Sequence, residues 1–197
     1  IDPEVRYAEI RVPGEGLLIV CWRVTELPGA NWRYEYALYN MNADRSARHF
    51  RVPVTSNIHV TNVGFHDVDY HSGEPFGGTD WASDVGATEV AWSTAKFSDD
   101  PNANALRWGT LYNFRFECDK PPATSLLTLQ HFKPGGPTEG DALIFPFLAP
   151  MACNGDGRCD AGENCYACPG ECTDSGPDGD GDGVGYCGDC AENNRAV

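Results

Sequence analysis

Trp32-Arg33-Tyr34-Glu35-Tyr36-Ala37-Leu38-Tyr39 alternates with a period of two. A β-strand sends successive side chains to opposite faces, so Trp32, Tyr34, Tyr36 and Leu38 share one face and Arg33, Glu35, Ala37 and Tyr39 the other. Leu111-Tyr112-Asn113-Phe114-Arg115-Phe116-Glu117 repeats the pattern, with Tyr112, Phe114 and Phe116 against Asn113, Arg115 and Glu117. One wet and one dry side per strand is the mark of an antiparallel sheet packed on a core. Working outward, runs rich in β-branched and aromatic residues predict further strands at Val5–Val12, Leu17–Val24, His49–Val54, Ile58–Phe65, Glu89–Thr94, Ser125–Phe132 and Leu143–Phe147. Gly, Pro, Asn and Asp turns separate them, and no stretch shows helical periodicity. About nine such strands in residues 1–150 predict an all-β antiparallel β-sandwich of jelly-roll or immunoglobulin-like kind.

The 197 residues, 41% hydrophobic and 22% charged, suffice for a real core. The longest apolar run, Leu17-Leu18-Ile19-Val20-Cys21-Trp22, falls far short of the roughly 20 residues that cross a bilayer and reads as a buried strand, so no membrane span is expected. A net charge of −15 argues against nucleic acid and anionic membranes as partners, since phosphates require Lys and Arg, and makes cations the natural ones. That charge is uneven. Residues 1–150 carry a net −7 and residues 151–197 a net −8, although the second part is only a quarter of the chain.

The same quarter holds seven of the nine cysteines, Cys153, Cys159, Cys165, Cys168, Cys172, Cys187 and Cys190, with almost no large apolar residues between them. Such a stretch must be held by disulfides or metal, which divides the chain into a sandwich at 1–150 and a small disulfide-rich, calcium-binding appendage at 151–197. It also points to an oxidising compartment, so the protein is expected to be secreted, extracellular or at the cell surface. The chain opens on Ile1 without a signal peptide and is expected to be a mature or excised fragment. Cys21 lies within one predicted strand and Cys118 ends another, so these two either join across the sandwich or take separate partners. An odd number of cysteines leaves one over, free, intermolecular or paired beyond Val197.

Asp178, Asp180, Asp182 and Asp189 occupy positions 1, 3, 5 and 12 of a twelve-residue loop with Gly183 at position 6 and the Val184 carbonyl at 7. Calcium takes six to eight oxygens at about 2.4 Å, and this spacing curls carboxylates around it. A weaker loop begins at Ala152, placing Asn154, Asp156, Arg158, Asp160 and Glu163 at positions 3, 5, 7, 9 and 12. Ca2+ is therefore the expected cofactor. Cys165-x2-Cys168 and Cys187-x2-Cys190 also have zinc-ribbon spacing, but three further cysteines and oxygen-rich surroundings favour disulfides and calcium. Gly183-x-Gly185-x-x-Gly188 spells a dinucleotide fingerprint among aspartates that would repel a pyrophosphate, and it follows no strand.

Asp178 to Cys190 resembles a thrombospondin type 3 repeat, an aspartate-rich, calcium-wrapping unit with disulfides, and Cys190-Ala-Glu-Asn-Asn-Arg-Ala-Val resembles the linker to a next repeat. Cys153 to Cys172 resembles a short Cys-rich unit of secreted bacterial proteins. Trp32–Asn42, His66–Pro75 and Asn104–Phe114 are similar to a β-rich domain of large secreted bacterial proteins. The calcium-repeat resemblance implies extracellular display, adhesion or rigid spacing.

Within the sandwich the densest polar run is His66-Asp67-Val68-Asp69-Tyr70-His71. On a strand Asp67, Asp69 and His71 would share a face and offer a mixed N/O metal site; alternatively the run orders the turn before Ser72-Gly73. Glu74, Asp80 and Asp84 are candidate paired carboxylates for glycoside hydrolysis. Five tryptophans, Trp22, Trp32, Trp81, Trp92 and Trp108, either pack the core or, where exposed, form a sugar-stacking platform. No Gly-x-Ser-x-Gly, His-Glu-x-x-His or P-loop motif occurs. The expected function is a secreted, calcium-stabilised, non-catalytic structural, adhesion or assembly module whose partners are calcium, other copies of itself or cell-surface polysaccharide. The alternative is a carbohydrate-binding or polysaccharide-acting domain of a larger secreted protein.

Overall fold

The computed structural model describes residues 2–55, 57–135 and 142–150. Ten strands follow one another: β1 (Arg6–Val12), β2 (Gly16–Leu27), β3 (Asn31–Asn40), β4 (Ala47–Pro53), β5 (Val60–His66), β6 (Ala82–Val85), β7 (Glu89–Ser93), β8 (Leu111–Cys118), β9 (Pro122–His131) and β10 (Ala142–Pro150). They form two five-stranded antiparallel sheets, ordered β1-β2-β3-β8-β5 and β10-β9-β4-β7-β6. The expected all-β sandwich is what the chain forms. Among the described residues no helix is long and apolar enough to cross a membrane. All nine predicted strands are present, and the tenth, β6, consists of four exposed residues that pair with β7.

Alternation builds the core as the sequence dictates. Tyr34, Tyr36 and Leu38 of β3 and Tyr112, Phe114 and Phe116 of β8 are buried, while their odd-numbered neighbours face out. From the second sheet Phe50, Val52, Val90, Trp92, Leu127 and Leu129 close over them. Phe114 sits at the centre, its ring 4.7 Å from Phe50, 5.4 Å from Trp92 and 5.4 Å from Phe65. The Tyr36 hydroxyl crosses the core to donate to the Leu148 carbonyl at 3.0 Å, which satisfies its only polar atom in an apolar surrounding.

Cys21 and Cys118 do not pair with each other; both thiols are free. They belong to the same sheet, on strands separated by β3, where Cys21 is in register with Ala37 and Cys118 with Trp32. Five residues along a strand is about 17 Å, well beyond the roughly 7 Å that a disulfide spans between Cα atoms. Their side chains also point to opposite faces, Cys118 into the core and Cys21 outward. The expected calcium loops and the cysteines Cys153 to Cys190 lie outside the described residues.

At the outer edge of the second sheet, β10 carries Pro146 and Pro150 and pairs with β9 along its whole length. At the edge of the first, β5 bulges against β8: Thr61 faces Glu117 and Gly64 faces Arg115, with Asn62 and Val63 looped between. Asn62 takes a left-handed backbone at φ 51° to make that bulge.

Candidate functional site

The candidate metal run does not form the expected strand face. β5 ends at His66, so Asp67 to His71 is loop, and its members turn to different surroundings. Asp67 and His71 converge on the buried Asn104: the Asn104 amide donates to the Asp67 carboxylate and, at 3.0 Å, to the Thr79 carbonyl. Its Oδ1 accepts from His71 Nε2 at 3.2 Å and from the Tyr112 hydroxyl at 2.5 Å, and its backbone carbonyl accepts from Trp81 Nε1. Burial, with the Asp67 carboxylate nearby, pushes the Tyr112 phenol up. Asp69 stays exposed. Among the described residues no three His, Cys, Asp or Glu side chains gather as a metal would require. The cluster instead pins the 67–81 loop to the 101–110 loop, and Asn104, its hub, carries no local sequence signal.

Glu74 closes a turn through its amide, which donates to the His71 carbonyl at 3.0 Å, and its side chain is exposed; Asp80 and Asp84 are exposed on the following loop and on β6. Of the tryptophans, Trp81 and Trp92 are core, Trp22 and Trp32 pack partly buried against it, and Trp108 is 68% exposed.

The outward face of the first sheet carries two cross-strand rows rich in charged side chains. Register places Arg23, Glu35, Arg115 and Gly64 in one cross-strand row of β2, β3, β8 and β5. The next row holds Thr25, Arg33, Glu117 and Thr61. Arg33 grips Glu117 Oε1 through Nε at 2.9 Å and Nη2 at 2.6 Å, and Asn62 donates to Oε2 at 2.5 Å, which holds the Glu117 carboxyl below the usual range. Arg23 donates to Glu35 Oε2 through Nε at 3.2 Å and Nη2 at 2.8 Å and to Asp2 through Nη1 at 2.8 Å. Both carboxylates beside Arg115 are thus already filled. Arg115 makes no hydrogen bond or contact ion pair among the described residues, and its charge adds to that of Arg33 in lowering Glu117.

No protein-family model and no curated protein matches this chain.

Three shallow depressions run along the face and share Arg115 or Glu35 and Asn113, which makes them one furrow. The middle one, about 510 Å³, lies between Glu35, Gly64, His66, Asn113 and Arg115, within the roughly 300–1,000 Å³ typical of ligand sites. Toward the Asn40 end the face becomes more apolar: Glu9, Ile19, Tyr39 and Leu111 form one row, and Tyr7, Cys21, Ala37 and Asn113 the next. Backbone bonds from Gly109 to Asn40 at 2.7 Å and from Asn40 to Thr110 at 3.0 Å bring exposed Trp108 and Met41 to that same end. The face therefore carries exposed or half-exposed aromatic side chains beside ordered ion pairs. Its residues come from four strands and a register, which no local motif reveals.

Proposed function

We propose that the chain is a non-catalytic extracellular adhesion module that binds a cell-surface polysaccharide across the outer face of the first sheet. The observation that carries this reading is the furrow with Asn113 and Arg115 at its centre, flanked by ion pairs and one cross-strand row away from Tyr39 and Leu111. A sugar ring presents an apolar face and a rim of hydroxyls, and it is matched by aromatic surface next to planar amide and guanidinium donors. The flanking pairs Arg23–Glu35 and Arg33–Glu117 are already ordered before anything binds. The full exposure of Glu74, Asp80 and Asp84 favours binding over hydrolysis. Affinity electrophoresis of the full chain against a panel of polysaccharides tests this. Retardation by at least one polymer, relieved by Tyr39→Ala and Asn113→Ala, is expected; retardation that both variants keep, or none at all, overturns it.

Calcium belongs to the same proposal. The spacing of Asp178, Asp180, Asp182, Val184 and Asp189, with the weaker set Asn154 to Glu163, supports a calcium-braced segment after Pro150. Four carboxylates around one point repel one another without metal, so binding energy becomes folding energy. A chelator is expected to speed proteolysis after Pro150, and so is Asp180→Ala, whereas unchanged cleavage together with no calcium by elemental analysis would refute it.

A further inference from the structure

We infer that Arg115, which lies over Gly64, forms the subsite for a carboxylate on the bound sugar, so that the module selects uronic-acid polysaccharides. The inference rests on the adhesion reading and adds to it the class of sugar. In the row Arg23–Glu35–Arg115–Gly64 charges alternate plus, minus, plus, and the fourth place, where the next acid would stand, is a glycine. A Cβ at Gly64 would meet Arg115 Nε at 2.6 Å and Cγ at 3.0 Å, so the arginine lies across β5 at that place. Glu35 is in register with Arg115, yet its carboxylate is engaged by Arg23. The Arg115 fork makes no hydrogen bond to a carboxylate and pulls on Glu117 only through space, on a face where two other arginines each grip one, in Arg23–Glu35 and Arg33–Glu117. Asn113 and His66 line the same hollow and supply the polar contacts that a sugar's hydroxyls need.

The chain's net charge of −15 opposes an anionic ligand at long range. At physiological salt that repulsion is screened beyond about 8 Å, whereas an ion pair at contact is not, so selection is local to Arg115. The ladder around it is balanced, three arginines (Arg23, Arg33, Arg115) against Asp2, Glu35 and Glu117, which suits one carboxylate per sugar rather than a dense polyanion.

The test measures binding of the full chain to uronic-acid trisaccharides (galacturonate, glucuronate, guluronate) and to their methyl esters, which remove the charge and keep the shape. The acid form of at least one is expected to bind about tenfold tighter than its ester. Arg115→Gln is expected to bind acid and ester alike, Arg115→Lys to fall between, and neither variant to shift the melting temperature. If wild type binds acid and ester equally, or binds only neutral oligosaccharides, the carboxylate subsite is wrong and the adhesion reading stands. If neither acid nor ester binds, the carboxylate subsite falls, and the polysaccharide panel alone decides the adhesion reading. If poly-glutamate binds as tightly with the same dependence on Arg115, the ligand is an acidic peptide and the inference fails.

Discussion

The Arg107 guanidinium lies 3.9 Å from the centroid of the Phe76 ring, and the Phe132 ring stacks 4.5 Å from it on another side. Arg107 is 8% exposed, and its Nη2 donates to the Pro101 and Ala103 carbonyls at 2.9 Å each. One buried cation thereby joins the 67–81 loop, the 101–110 loop and the end of β9. Arg107→Ala should lower the unfolding free energy by about 2–4 kcal/mol, from a desolvated cation–π contact and two charged hydrogen bonds. Urea denaturation checks it, and a loss under about 0.5 kcal/mol would place the loops' anchor elsewhere.

Phe114 touches Phe65 of its own sheet, Phe50 and Trp92 of the other, and Trp81 before β6. Phe114→Ala leaves a cavity that none of these large neighbours can fill and should cost about 3–5 kcal/mol. Phe114→Leu, which keeps most of the volume, should cost clearly less in the same denaturation series.

Two glycines that both lie close to neighbours should respond differently. A Cβ at Gly16 meets the Asn42 backbone carbonyl at 2.6 Å, which has nowhere to go, so Gly16→Ala should lose about 1–3 kcal/mol. At Gly64 the obstacle is the Arg115 side chain, which can swing to solvent. Gly64→Ala should keep stability within about 1 kcal/mol while weakening uronate binding, read by calorimetry on the same two proteins.

The His49 imidazole is held below its ordinary pKa mainly by burial, with Arg51 and Arg48 adding to it against the hydrogen bond to Gln130. Above about pH 6.5 the ring is neutral whether folded or unfolded, and it adds no pH dependence. As pH falls below that value the unfolded chain takes up the proton first, so stability drops and levels off once the folded-state pKa is passed. His49→Gln should therefore reduce the fall in melting temperature between about pH 7 and pH 5. An identical fall in wild type and variant would refute the assignment.

Burial pushes the Cys118 thiol up to about 11, and the side chain is 1% exposed, so it is neither ionised nor reachable near neutrality. Iodoacetamide at about pH 8 should label Cys118 only after unfolding, whereas Cys21, half-buried on the outer face, should react slowly in the native protein. Peptide mapping by mass spectrometry distinguishes the two.

The strands were legible because period-two alternation in Trp32–Tyr39 and Leu111–Glu117 is both a local signal and the cause of burial. β6 was not, since Ala82-Ser83-Asp84-Val85 buries nothing and is a strand only through pairing with β7. The Asp67–Asp69–His71 expectation assumed that β5 runs on past His66, and where the strand stops the shared face vanishes. The furrow stayed hidden for a different reason. Arg23, Glu35, Arg115 and Gly64 stand far apart in the chain and become neighbours only through register, which depends on the whole sheet.

The prolines of β10 bear on how the protein behaves when crowded. An edge strand with open amides is a template onto which a second chain can add, and such addition seeds fibrils. Pro146 and Pro150 have no amide hydrogen to offer, so a strand laid along β10 would find its row of donors interrupted. Growth of the second sheet from molecule to molecule is disfavoured at that edge, and copies packed densely on a surface can touch there through side chains without fusing into one continuous sheet.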